Sequence, residues 1–310
     1  MEELFENSPI EVDKFVDPAI DWISENLRPF FQMLKVPVGF ALDGIESALT
    51  GMPPELTLLL VFLLAWQIAG ARIAIWSVLG LFAIGMLGAW QDAMVTLGLV
   101  TTAVLFSVCI GVPVGIVIAK SSLLFRIARP VLDTMQTLPA FVYLIPIVMM
   151  FGIGNVPGVI VTIIYAIPPV IRLTALGIRS VPPDLREAAD AFGSTGWQIL
   201  MRVELPLALP TVMAGVNQTI MMALGMVVYA SMIAVKGLGL LVLRGIGSLD
   251  MGVAVVGGFG IVILAMMLDR LSEHAARSVD SGRTHRFTRP SDIVRRLIRR
   301  LSMHVTPTGA

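Results

Sequence analysis

Charge is scarce in this 310-residue chain: 14% of residues are Asp, Glu, Lys or Arg and 56% are hydrophobic. Mean hydropathy is +0.86. A soluble domain carries about 25% charge, so a soluble globular protein is excluded and the long apolar runs read as membrane spans. The only cysteine, Cys109, lies in an apolar run, which excludes an intrachain disulfide or a cysteine metal site. The three histidines, His274, His285 and His304, all fall in the last forty residues, leaving none for a proton relay or metal centre in the membrane. The apolar segments lack Asp, Glu, Lys and His over most of their depth. That argues against an ion-driven secondary transporter, as does the absence of an internal repeat. There is no GxxxxGK[ST] loop, so ATP hydrolysis by this chain is not expected. The first twenty residues are acidic and have no apolar core, so no cleavable signal peptide is expected. No cofactor, metal or nucleic-acid partner is expected.

The net charge of zero hides an asymmetry. Residues 1–55 hold eleven acids and three basic residues, whereas residues 269–310 hold nine Arg and four acids. Basic segments beside spans stay in the cytoplasm, and acidic ones carry little orienting force. The C-terminus is therefore expected inside and the N-terminus is free to lie outside, where seven spans would put it. Residues 1–55 read as an acidic tail. Within it Ile20, Trp22, Ile23, Leu27, Phe30, Phe31 and Leu34 recur at helical spacing, as in an interfacial helix. Hydropathy predicts an all-α protein with about seven spans, at residues 56–70, 73–90, 97–119, 131–151, 157–171, 211–235 and 251–268. The first two are accessory spans within 56–95, forming a hairpin or one irregular segment. The fifth is short, and Pro168-Pro169 can break it. Lys120, Arg126 and Arg129, then Arg172, Arg179, Arg186 and Arg202, and the terminal Arg run fall on one side, which is predicted to be cytoplasmic.

A polar island separates two apolar segments. It reads Glu187-Ala188-Ala189-Asp190-Ala191-Phe192-Gly193 and closes with Val203-Glu204-Leu205-Pro206. Pro182 and Pro183 suit a first helical turn, and Asp184 and Glu187 place negative charge near its positive end. Gly193 suits a left-handed cap. Ser194 or Thr195 can cap a second helix, which Pro206 is expected to limit. The result is a short cytoplasmic helix–turn–helix at 180–206. Ala188 and Ala189 give it a thin face able to enter a groove on a partner. Glu187 is either a solvated helix charge or a contact to that partner, and Arg186 and Arg202 read as membrane-side anchors.

The spacing E-A-A, three residues, G, nine residues, an aliphatic, one residue, L-P resembles the coupling loop of ABC importer permeases. Over residues 95–271 the chain is similar to the MetI-like permeases of type I ABC importers, and within them to permeases for glycine betaine, proline betaine and choline. The likeness rests on Asp133-Thr134-Met135-Gln136-Thr137-Leu138-Pro139-Ala140-Phe141-Val142-Tyr143 and Phe151-Gly152-Ile153-Gly154-Asn155. It rests also on Ala214-Gly215-Val216-Asn217-Gln218-Thr219, Ala230-Ser231-Met232-Ile233-Ala234-Val235 and Leu243-Arg244-Gly245-Ile246-Gly247. Val203 stands where the family loop usually has Ile, and the aliphatic character is kept. The resemblance implies a permease core at 96–271 and a second copy of the chain around a central pathway. It implies cytoplasmic ATPase subunits that receive Glu187, Ala188, Ala189, Gly193, Leu205 and Pro206. It also implies a periplasmic substrate-binding protein and a bacterial inner-membrane location. The expected cargo is a betaine-type compatible solute used in osmoprotection. Choline, carnitine or another small zwitterion on the same machinery is the alternative, and a passive osmotic channel would not need the loop.

Candidate pathway residues have two readings each. Asn217, Gln218 and Thr219 at membrane depth either bond between helices or line the pathway. Phe141, Tyr143, Tyr165 and Tyr229 either pack or offer faces to a quaternary ammonium ion, worth up to about 2 kcal/mol when desolvated. The basic tail 272–310, including Arg295, Arg296, Arg299 and Arg300, can bind anionic lipid at about 1 kcal/mol per charge. It acts as an inside anchor or as a sensor of ionic strength.

Overall fold

The computed structural model describes residues 28–280 together with Pro18 and Asn26. Ile20, Trp22, Ile23 and Leu27 of the expected interfacial helix, and the Arg-rich end of the tail, lie outside the described residues. Among those described the chain is helical, with no strand. The helices are α1 (Arg28–Gly51), α2 (Pro54–Ala69), α3 (Ala71–Met86), α4 (Trp90–Lys120), α5 (Ser122–Thr137), α6 (Leu144–Phe151) and α7 (Asn155–Ala166). They continue with α8 (Pro168–Arg179), α9 (Pro183–Ala191), α10 (Gly196–Ile199), α11 (Leu205–Ala230), α12 (Leu238–Gly247) and α13 (Met251–Asp280).

Among the described residues four helical segments are long and apolar enough to cross a membrane: Trp90–Lys120, Asn155–Arg179, Gly196–Ile233 and Met251–Ala276. Two bent pairs raise the number to six, against the seven expected. The difference lies in α3, which belongs to none of the six, while α2 enters them only as the partner of α1 across a 111° bend. Helices α2 and α3 each have 16 residues, about 24 Å of helix against a hydrocarbon core near 30 Å. They are nonetheless two helices rather than one irregular segment, parted at Gly70 (φ +92) and packed against each other and against α13.

Three local expectations change. The segment at 131–151 is not straight, because its two halves meet at 105°. Pro139 disfavours helical backbone at the residue before it, and Leu138 is extended (φ −66, ψ 132). The segment at 157–171 is neither short nor broken, since α7 and α8 form one 25-residue span. Pro168 and Pro169 occupy the first positions of α8, where a missing N–H costs little. The acidic tail drawn as residues 1–55 has a folded second half. Helix α1 packs on α4, α6 and α7 and buries Val38 and Leu42.

A close crossing joins α4 to α8. Gly111 and Gly115 are four residues apart on one face of α4. A Cβ at Gly115 would meet the Ile171 carbonyl oxygen at 2.8 Å and the Thr174 Cβ at 2.7 Å, and one at Gly111 would meet Val170 at 2.4 Å. Small residues at this spacing let two backbones approach, which is how helices gain packing where lipid is as apolar as the core. The most buried span is Asn155–Arg179, with α4, α11 and α1 around it. Large apolar side chains such as Leu63, Trp76, Phe82, Val117 and Val262 face outward, as lipid contact requires.

The polar segments gather at two ends. At one end the Gly152-Ile153-Gly154-Asn155 turn closes on the start of the α11–α12 connection. Gly154 N–H donates to the Ile233 carbonyl at 2.9 Å, and Lys236 N–H donates to Asn155 Oδ1 at 3.0 Å. Helix α1 meets the same turn: Phe31 stacks edge-on to Phe151, Lys35 Nζ donates to the Phe151 carbonyl, and Asn155 Nδ2 donates to Glu46 Oε2. The opposite end carries the loop between α8 and α11.

Candidate functional site: the loop between the central spans

Local chemistry explains the loop. Pro182 and Pro183 open α9, and Asp184 sits in its first turn. Gly193 has φ +76. Ser194 N–H donates to the Ala189 carbonyl at 3.1 Å and Gly193 N–H to the Asp190 carbonyl at 2.8 Å, the paired bonds of a left-handed helix stop. Of the two capping candidates, Thr195 takes the role. Its hydroxyl accepts from Gln198 N–H, while Gln198 Oε1 accepts from Thr195 N–H at 2.8 Å, a reciprocal capping box. Pro206 does not limit the second helix. A π turn (Leu200–Glu204) follows α10, and Pro206 enters the first turn of α11. The loop thus runs into the membrane as one 38-residue helix, Gly196–Ile233.

Helix α9 buries no residue. Glu187 and Ala188 are exposed, Ala189 is half-buried, Leu205 is half-buried and Pro206 is exposed. Two aromatics absent from the sequence-based candidates stand beside them, with Phe192 91% and Trp197 67% exposed. Two large aromatics in a polar loop were the available signal. Below them the loop is anchored by Ile199 and Leu200, both buried, and by the cluster of Ala119, Ala175, Ile178, Ala208 and Val212.

A charge cluster that sequence reasoning missed completes the anchor. Glu204 has a side chain only 4% exposed. Lys120 Nζ lies 2.6 Å from its Oε2, and Arg186 Nε lies 3.1 Å from its Oε1. Arg186 also donates to the Ile178 carbonyl at 2.5 Å. Arg179 donates to the Ala119 carbonyl at 3.3 Å and lies 4.5 Å over the Phe125 ring. Arg172 pairs with Asp133, joining α8 to α5. Lys120 and Glu204 are 84 residues apart, and no local pattern links them.

The pathway candidates separate into groups. Tyr143 and Tyr165 meet edge-on with centroids 5.8 Å apart, and the Tyr143 hydroxyl donates to the Met135 carbonyl at 2.5 Å. Among the described residues they are the only two of the four aromatics in ring contact; Phe141 and Tyr229 are exposed elsewhere. Asn217 Nδ2 donates to Asp269 Oδ1 at 3.1 Å, and the Ser272 hydroxyl donates to Asn217 Oδ1, so Asn217 clasps α11 to α13. Gln218, one residue on, is exposed, and Ala214, Gly225 and Tyr229 are exposed on the same side of α11. Thr219 is buried.

Residues 111–281 match the family model for the binding-protein-dependent transport system inner membrane component. The chain belongs to this family. It is 56% identical over 283 residues, 91% of its length and 80% of the relative's, to the glycine betaine/proline betaine transport system permease protein ProW of Escherichia coli. It is 43% identical over 265 residues, 86% of its length and 94% of the relative's, to the glycine betaine transport system permease protein OpuAB of Bacillus subtilis. It is 46% identical over 268 residues, 85% of its length and 95% of the relative's, to the glycine betaine/carnitine transport permease protein GbuB of Listeria monocytogenes. An inward-facing structure of the MetNI methionine ABC transporter shares the fold, with a TM-score of 0.56 and 22% identity over 62% of this chain and 95% of that one. As a member of this family the chain is a multi-pass inner-membrane permease component, not the hydrolytic subunit. Its system includes an ATPase and a binding protein.

Proposed function

We propose that this chain is the pathway subunit of an ATP-driven importer of glycine betaine and proline betaine, and that α9 with Phe192 and Trp197 is the surface its ATPase engages. The exposed aromatic pair beside a helix with no internal partner carries this reading. Bulky apolar groups exposed in a polar loop mark a protein contact. Glu187, Ala188, Ala189 and Gly193 form the thin side of that surface, and Leu205 and Pro206 lead it into α11.

Orientation follows from charge. Lys120, Arg179, Arg186 and Arg202 lie in this loop or at the helix ends that meet it, and Arg126 and Arg129 lie in the first half of α5, just after Lys120, so the loop and the C-terminus are cytoplasmic. The opposite turns at 152–155 and 236–250 then meet the binding protein. Counting α2 and α3 as thin crossings gives seven spans, with the N-terminus periplasmic. The basic tail adds an anchor on anionic lipid.

Two copies of the chain enclose the pathway. The side of α11 bearing Ala214, Gln218, Gly225 and Tyr229 supports this arrangement. A glutamine turned toward lipid is costly, so Gln218 belongs on a cavity or a second copy. Tyr229 and Phe141 are aromatic surfaces a quaternary ammonium ion can pass, and Tyr143 and Tyr165 brace the wall behind. Asn217 serves the wall through its clasp. A sibling cargo, carnitine, is favoured by the glycine betaine/carnitine relative.

The test is reconstitution with the ATPase and binding protein in liposomes. Radiolabelled glycine betaine should enter only with ATP and binding protein. Uptake driven by an ion gradient alone would overturn the reading, and competition by carnitine or choline ranks the cargo.

A further inference from the structure

Glu204 holds a carboxylate, 4% exposed, between two cations from different elements. Lys120 is the last residue of α4, and Arg186 lies in the middle of α9. A buried acid is costly unless paired, and here Lys120 Nζ hydrogen-bonds to Oε2 while Arg186 Nε forms an ion pair with Oε1. The π turn at Leu200–Glu204 puts Glu204 on this inward side. Such turns are rare and often sit at functional sites. Arg186 also bonds to the Ile178 carbonyl near the end of α8, and Arg179 of α8 bonds to the Ala119 carbonyl of α4. The Glu204 carboxylate, at the entry to α11, therefore ties the exposed helix α9 to the inner end of α4, and Arg186 itself reaches the end of α8.

We propose that Glu204 is the positioning residue that makes α9 and the inner end of α4 move as one body, so that displacement of α9 by the ATPase reaches the pathway instead of being absorbed in the loop. This rests on the reading of α9 as the ATPase-engaging helix. Without the pair, α9 keeps its Arg186 bond to the Ile178 carbonyl of α8 and its chain connection to α10 but no side-chain link to α4, and it buries no side chain of its own. Lys120 is the sensitive link, because its removal frees α4 while leaving Arg186 on Glu204.

The test uses the whole importer in proteoliposomes and reads solute imported per ATP hydrolysed. Glu204→Gln keeps shape and removes charge. It should lower that ratio about tenfold or more, the usual scale of an energetic link between two sites. Lys120→Met should lower it as well, and the double variant should be no worse than Glu204→Gln alone, because both break one pair. Glu204→Asp should recover part of the ratio. Wild-type ratios in Glu204→Gln and Lys120→Met, or losses that simply add, would overturn the proposal. Should Glu204→Gln fail to assemble, Lys120→Met decides, since Lys120 is half-exposed. If the wild-type importer needs no ATP, the reading of α9 fails first, and that outcome is distinct from a wild-type importer whose variants stay coupled.

Discussion

Substitution of Gly193 separates backbone strain from partner contact. Gly193 holds φ +76, and a Cβ built there meets nothing within 4 Å. Any cost within the chain is therefore conformational. An ordinary residue in the left-handed region loses roughly 1–2 kcal/mol, which is about a 5- to 30-fold shift in a local equilibrium. Asn visits this region more readily than Ala. The stop has little reserve, since α9 buries nothing. Amide exchange at Ser194, whose N–H bonds to the Ala189 carbonyl, reads the opening directly. Exchange should rise about 5- to 30-fold in Gly193→Ala and less in Gly193→Asn. ATP-driven uptake should follow the same order. Unchanged exchange in Gly193→Ala, or Asn exchanging as fast as Ala, would refute the strain argument. Intact exchange with lost uptake would instead locate the need for glycine on the ATPase.

Three further outcomes follow from the geometry. Gly115→Val should lower the thermal unfolding midpoint in detergent by an amount matching about 1–3 kcal/mol of overpacking, since the Ile171 carbonyl blocks its Cβ; Gly225→Ala, with open space, is the control. Phe192→Ala with Trp197→Ala should weaken ATPase association at least about tenfold in a pull-down titration while leaving membrane insertion intact, as loss of two exposed aromatic anchors predicts. Asn217→Leu leaves Asp269 without its amide donor and should cost about 1–3 kcal/mol in the same unfolding assay; Gln218→Leu should spare stability and change uptake.

What the sequence made readable was local. The stop at Gly193, the cap at Thr195 and the prolines opening α9 depend on neighbours within a few residues. Charge bias alone grouped Lys120, Arg179 and Arg186 on one side. Direction was not legible, because the two halves of 131–151 read together as one apolar segment on average despite the 105° bend at Pro139. Pro206 was misread as a stop because proline both ends helices and suits their first turn. The Glu204 cluster was hidden because Lys120 is 84 residues away. For Asn217 and Gln218 only the structure separates adjacent residues: one turns to α13 and the other turns outward.

The continuous helix from Gly196 to Ile233 has 38 residues, about 57 Å at 1.5 Å per residue. A rod of that length is a lever. Tilted by roughly 5° about its middle, it carries each end about 2.5 Å in opposite directions. A push on the aromatic loop at one end is thus returned at the Tyr229 end with its sign reversed. A single continuous helix can narrow one mouth of a pathway while widening the other.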